Sequence, residues 1–233
     1  MKNLALLSLL CFSQLVSAQK YYDDAQVRGH FNIETKLNKR FTVHLDQQYR
    51  ITNNVSDFSR GSADIGITFK INKHIKLLAD YVYIQKQKNS GIWNQRNWYY
   101  GAVVLKKDIG YWRIVGRAML QARNGDVNSD KANLTRLYNR NKVSVRYEIN
   151  KLLTGFVAEE IYIPLNSPQA KGIDRSRTFA GILINTFKNQ QLEFYFMYQV
   201  WTQKNNWWDQ SDRYPDPFLR RDFIYGIGYG IEF

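Results

Sequence analysis

Apolar and polar residues alternate along most of the chain, and the alternating segments come in pairs. From Ala25 to Leu37 the residues Ala25, Val27, Phe31, Ile33 and Leu37 are apolar, whereas Gln26, Arg28, His30, Asn32, Glu34 and Lys36 are polar. After the turn Asn38-Lys39-Arg40 the same period resumes over Phe41–Ile51, with Phe41, Val43, Leu45, Tyr49 and Ile51 against Thr42, His44, Asp46, Gln48 and Arg50. A period of two sends successive side chains to opposite faces of a β-strand. The pairing recurs in Gly61–Ile71 with Ile75–Gln85, Asn97–Lys107 with Tyr111–Arg123, Leu134–Glu148 with Leu152–Ile163, and Arg177–Phe187 with Gln191–Trp201. Short turns join the members of each pair. Long polar loops, Thr52–Arg60, Lys86–Arg96, Asn124–Asn133, Pro164–Ser176 and Thr202–Arg221, separate the pairs. Gly, Asn, Asp and Pro concentrate there, as turn geometry demands. Asp222–Phe233 is the last alternating segment.

Strands of about ten residues, joined alternately by short and long connections, are the pattern of a transmembrane β-barrel. The expected fold is therefore all-β: a single antiparallel transmembrane barrel with short periplasmic turns and long extracellular loops. A soluble β-sandwich also yields short strands but needs no such rhythm. Eleven strands are readable. An even number is usual, and a short strand around Gln19–Asp24 makes about twelve, or ten if two segments are misread. The final strand resembles the closing strand of bacterial outer-membrane barrels, in which a terminal Phe preceded by alternating apolar residues is the assembly signal. Tyr229, Ile231 and Phe233 carry that resemblance. Gly226, Gly228 and Gly230 on the opposite face are expected to leave room for a cavity against this wall.

Composition narrows the compartment. No apolar run reaches the ~18 residues of a spanning helix, so any membrane crossing falls to strands. Met1–Ala18 reads as a secretory signal, with Lys2, the apolar core Leu4–Val16 and the cleavage pattern Val16-Ser17-Ala18. Residues 19–233 then form the barrel. Cys11 is the single cysteine and lies inside that signal. Leu10 precedes it where a lipid-modified cysteine needs a small residue, so the mature chain has no thiol chemistry. The net charge of +13 is scattered through the chain rather than blocked. In an exported protein this argues for a charged lumen and against nucleic acid.

Arginine on the lipid side of a barrel costs about 2–4 kcal/mol at the bilayer midplane, and this fixes which face points inward. Arg113, Arg117 and Arg123 share one parity, as do Arg136, Arg140 and Arg146. Arg28, His30, His44, Asp46, Arg50, Glu160, Arg177 and Glu193 fall on the inward face of their own strands, together with Asp64 and Asp80. The lumen is expected to be arginine-rich with interleaved carboxylates. It can be a charge-paired filling or a narrow path or pocket favouring anions.

Candidate chemistry is thin. A lipid-modifying barrel enzyme of the phospholipase or acyltransferase type needs a Ser–His pair oriented by a third polar group. Only His30, His44 and His74 are available, two of them inward and one in a turn. Asp126-x-Asn128-x-Asp130 begins a calcium-loop spacing, but Lys131 and Leu137 stand where Gly and Glu belong. Trp207-Trp208 and Tyr214–Phe218 make the longest loop aromatic, which suits a membrane girdle or, in a secreted sandwich, a glycan. No cofactor and no metal site is expected.

Several motifs, taken in order, resemble the exported barrel family known as domain of unknown function 2490. They are Gln48-Tyr49-Arg50, Asp80-Tyr81, the arginine-spaced strands (Arg113, Arg117, Arg136, Arg140), Glu160-Ile161-Tyr162, Arg177 through Gly181 and the Tyr-Gly-rich closing strand. The first strand departs from that family in lacking an early Trp, Phe31 being the nearest aromatic. The resemblance implies an outer-membrane barrel and brings no catalytic residue. The expected role is a non-enzymatic structural or binding barrel, or a narrow channel. Its partners would be outer-membrane lipids, the barrel-assembly machinery and a small anionic solute.

Overall fold

The computed structural model describes residues 21–87, 91–124, 135–166, 172–201 and 219–233. The expected signal, the calcium-like loop and the Trp207-Trp208 loop lie outside them. The described residues form eleven strands: β1 (Tyr21–Lys36), β2 (Phe41–Thr52), β3 (Asp57–Lys70), β4 (Ile75–Gln87), β5 (Trp93–Ile109), β6 (Trp112–Asn124), β7 (Thr135–Glu148), β8 (Leu153–Pro164), β9 (Arg175–Phe187), β10 (Gln190–Trp201) and β11 (Leu219–Glu232). Each strand pairs antiparallel with its sequence neighbours, and β1 meets β11 to close a barrel. Tyr21–Asp24, the described part of the segment expected as a separate short strand, belongs to β1, and the described residues hold eleven strands. A ring of eleven alternating strands must contain one parallel pair, and β1–β11 is that pair, from Tyr21↔Leu219 to Glu34↔Glu232.

Three of the five short turns share one device. Asn38, Asn72 and Asn150 each turn a side-chain oxygen back onto two backbone N–H groups ahead, at 2.8–2.9 Å. This Asx geometry substitutes for backbone bonds that a tight turn cannot make. At the opposite end β2 and β3 are joined through Asn53, Asn54 and Val55, all with positive φ. That strained segment is tied to β1: Val55 N–H donates to the Ala25 carbonyl at 3.1 Å, and Asn54 N–H to Asp24 Oδ1 at 2.9 Å.

The outward face is an apolar band that includes Leu45, Ile65, Val103, Leu120, Val157 and Ile227. Rings cluster above and below it. Phe41–Phe69 and Trp112–Tyr147 pack near the short turns, at 4.9 and 4.6 Å between centroids. Phe58–Trp93 and Tyr198–Phe223 pack near the loop end, at 5.8 and 5.4 Å. Polar pairs interrupt it in mid-wall, where the Thr178 hydroxyl donates to Glu159 at 2.6 Å and the Asn141 amide donates to Asn139 at 2.6 Å.

The parallel seam is fastened at both ends. Near the turns, Lys36 N–H donates to the Phe233 carbonyl at 3.0 Å and Phe233 N–H to the Glu34 carbonyl at 2.8 Å. Near the loops, Arg220 bridges Asp24, at 3.0 Å, and Asp222; both carboxylates are fully buried. Arg221 grips Asp23 with two bonds of 2.7 and 2.8 Å, but half-exposed. Removing one partner of a buried pair strands the other charge, at about 3–5 kcal/mol, whereas an exposed pair contributes about 1 kcal/mol or less. Arg220→Met is therefore expected to lower unfolding stability in urea by about 3–5 kcal/mol. Arg221→Met should lower it by less than about 1 kcal/mol.

Candidate functional site: an arginine-lined lumen

Alternation along each strand aims every second side chain into the barrel, and register decides which of them meet. On β1–β4 and β10 the inward positions in the half toward the short turns include Glu34, His44, Asp46, Asp64, Asp80 and Glu193. Farther along β1, β2 and β3 the inward positions carry arginines. The change is sharpest on β1–β3, where Arg28, Arg50 and Arg60 stand side by side in register with no carboxylate between them. Like charges placed directly opposite one another destabilise a sheet.

A central cavity of about 270 Å³ lies against this row. Nine basic side chains line it against three carboxylates, Asp64, Glu160 and Glu193. Glu160, on β8, is the hub. Its Oε1 accepts from Arg117 at 2.7 Å and Arg140 at 2.9 Å, and its Oε2 from Arg177 at 3.2 Å and the Tyr162 hydroxyl at 3.0 Å. Arg177 also donates to Gln199 at 2.6 Å. One buried carboxylate thus serves three of the nine basic side chains while cancelling a single unit of their charge.

Rings hold further guanidinium groups in place. Arg123 lies over Tyr138 at 4.2 Å and over Trp98 at 4.6 Å, and Arg175 over Trp201 at 3.7 Å and Tyr162 at 4.4 Å. Stacking uses the guanidinium face and leaves the N–H edge for hydrogen bonding. The buried Nε groups of Arg28, Arg50, Arg117, Arg140 and Arg175 donate to no protein acceptor. Arg28 and Arg50 otherwise reach only neutral partners on their own strands or beyond: Gln26 at 3.2 Å, Met197 sulfur at 3.9 Å and Gln48 at 3.4 Å.

The other residues singled out from the sequence are placed as follows. Arg113 and Arg146 lie at the short-turn mouth, where Arg113 pairs with Asp108 at 2.6 Å. Arg136 is buried toward the loop end. His30 Nε2 sits 3.3 Å from Glu193, and His44 Nε2 sits 3.0 Å from Asp80. Tyr229, Ile231 and Phe233 end the seam, Tyr229 stacked on Phe31 at 5.9 Å. The room expected beside Gly226 and Gly228 is already filled. A Cβ at Gly226 would fall 2.0 Å from the Tyr195 ring, and one at Gly228 would fall 2.2 Å from the His30 ring. These glycines admit a neighbour's ring, and the cavity lies beyond them. Tyr195 also packs on an apolar cluster inside the lumen, Ala158, Phe179, Met197 and Ile224, which the sequence pattern did not single out.

Glu160 and Glu159 are sequence neighbours on opposite faces of β8, which makes them a matched test. Glu160→Gln leaves three guanidinium groups without their shared anion, and a loss of about 3–5 kcal/mol is expected. Glu159→Gln, on the outer face, should shift stability by less than about 1 kcal/mol. Denaturant unfolding of the two variants in the same detergent checks the difference.

Among solved structures, the one described as the NanC porin in a rhombohedral crystal form is similar, with a TM-score of 0.47 and 10% identity over 76% of this chain and 87% of that one. No curated protein matches the chain. Residues 26–210 match the family model described as protein of unknown function (DUF2490), and the chain belongs to that family.

Proposed function

We propose that this protein is a non-enzymatic outer-membrane barrel whose arginine-lined lumen takes a small anionic solute bearing carboxylate or phosphate groups. Residues 1–18 direct export and residues 19–233 make up the mature barrel. The apolar outer band and its two clusters of rings suit a bilayer. A face of that extent left in water would be an aggregation surface. Tyr229, Ile231 and Phe233 would be read by the barrel-assembly machinery. Val157, outward in the middle of β8, provides a direct check on the bilayer: Val157→Arg is expected to cost about 2–4 kcal/mol in lipid vesicles. An equal stability of variant and parent there would argue for an aqueous location.

The observation that carries the anion reading is the Arg28–Arg50–Arg60 row facing the cavity. An anion seated there would relieve the repulsion within the row and accept the donors that Arg28 and Arg50 leave open. Against an enzyme stands the setting of the histidines. Among the described residues, His30 and His44 pair with carboxylates, and no hydroxyl nucleophile is bonded to either.

In planar bilayers the protein should conduct weakly and favour anions, with a reversal potential that shifts toward zero selectivity in Arg28→Gln/Arg50→Gln. Inorganic phosphate or a dicarboxylate should raise the parent's melting temperature above its value in chloride, as any ligand of the folded state does. The double variant should lose that rise while being more stable than the parent without added anion. Cation preference, or an anion effect unchanged by the double substitution, would sink the reading.

A further inference from the structure

Below the arginine row the register brings a second set of side chains together. His44, Gly66, Asp80 and Tyr100 form one continuous row across β2, β3, β4 and β5. Asp64, inward and one step along β3 from Gly66, sits beside it. His44 Nε2 is 3.0 Å from Asp80 Oδ1 and 4.0 Å from Asp64 Oδ1, and ligand atoms of all three residues lie within 4.8 Å of one another.

We propose that His44, Asp64 and Asp80 form a binding site for a first-row divalent cation of the zinc class. Four observations independent of the anion reading converge on it. The Asp80 side chain is 1% exposed; among the described residues its one polar partner is the His44 ring nitrogen, 3.0 Å from Oδ1, and Oδ2 accepts no hydrogen bond. A buried carboxylate with a single imidazole partner, aimed also at a second carboxylate, is short of the donors that buried anions require. The inter-ligand distances bracket the edge of a tetrahedron built on bonds of about 2.0–2.1 Å, and small side-chain rotations bring them to it.

The site is also cut to shape. A Cβ on residue 66 would fall 1.5 Å from Asp80 Oδ1 and 2.6 Å from the His44 ring, so only glycine lets both side chains point into the same space. The Tyr100 hydroxyl donates to the other oxygen of Asp64. It orients that carboxylate with Oδ1 toward His44, the arrangement by which an outer hydrogen bond aims a ligand. Charge fits as well. Two carboxylates and a neutral imidazole carry the two negative charges that match a divalent cation. Asp46 lies opposite Asp64 on β2, adding a third acid where no arginine intervenes in the row. One nitrogen and two oxygen donors suit zinc better than calcium or magnesium, which favour all-oxygen shells. Three protein ligands leave a coordination position open toward the lumen.

The test is a calorimetric titration of the full refolded barrel in detergent with zinc, and separately with magnesium, followed by cobalt absorption spectroscopy. The expected result is one saturable zinc site per chain, poor competition by magnesium, and a tetrahedral cobalt spectrum. His44→Gln and Asp80→Asn should abolish it. Tyr100→Phe, which keeps all three ligands, should weaken it about 10–100-fold. Asp46→Asn should leave stoichiometry and spectrum intact. Heat-modifiable gel mobility identifies variants that still fold. If Asp80→Asn does not fold, the Tyr100→Phe shift decides. Absence of saturable zinc binding, or binding unchanged in folded His44→Gln, would falsify the site without touching the anion reading.

Discussion

A ring of strands that alternate in direction cannot close with an odd number unless two neighbours run the same way. In this chain the two are the first and the last, so closure waits on residues that are farthest apart in sequence. Parallel pairing is somewhat less favourable per residue than antiparallel pairing, and the seam carries compensating contacts at both rims. At one rim the backbone of Phe233 exchanges bonds with β1. At the other, Arg220 sits between two fully buried carboxylates, one from each strand. Asp24 gathers more than the seam: Asn54 N–H and Gln26 also donate to it. The strained turn between β2 and β3 is thereby fastened to the closing contact. Contacts spanning the whole chain carry the greatest loop-closure entropy, a cost that these buried ion pairs help to offset.

Once closed, the ring fixes an interior too narrow to hydrate its charges freely. Each inward side chain must then find a partner, a ring or a cradle. Glu160 serves three arginines because β8 lies between the strands that bear them, with Arg140 on β7 and Arg177 on β9, and Arg117 one strand further away on β6. The aromatic residues do the same service without neutralising charge, which is why the lumen keeps a surplus of positive side chains. The glycines solve a volume problem. An inward Tyr195 or His30 fits only where the facing strand offers no side chain of its own.

The hairpins were legible because the outer face and the lumen impose opposite demands on alternate residues. Toward the loop ends of the strands that contrast weakens, and there the pattern fades. β3 begins at Asp57, not Gly61, and β5 at Trp93, not Asn97. The added residues include outward Gln95 and inward Asn94, which show no hydrophobic contrast. In β3 a register shift opposite Arg50–Ile51 reverses the parity near Ser59 and conceals the strand start. The parallel seam had no local signal, since strand count, not any residue, forces it. Parity alone gives a face. It does not say that Glu160 meets Arg117 or that His44 meets Asp80, because those contacts depend on register and shear. The inward glycines were the available clue: Gly66 stands on a face of charged residues, where a missing side chain means that neighbours need its space.

The two rows differ in height as well as in charge. On β2 the order from the short turn is His44, Asp46, Gln48, Arg50, and on β3 it is Gly66, Asp64, Ser62, Arg60. Neutral Gln48 and Ser62 thus separate the acids from the arginines on adjacent strands. Had the charges simply been chosen to cancel, acids and bases would alternate along each strand, since contact pairing gains most at shortest distance. On these two strands segregation forgoes that gain and sets positive charge toward the long loops and negative charge toward the short turns. Low-dielectric walls sharpen such a local field. Filling space does not call for this arrangement, whereas the proposed binding of an anion at one depth and a cation at another would use it.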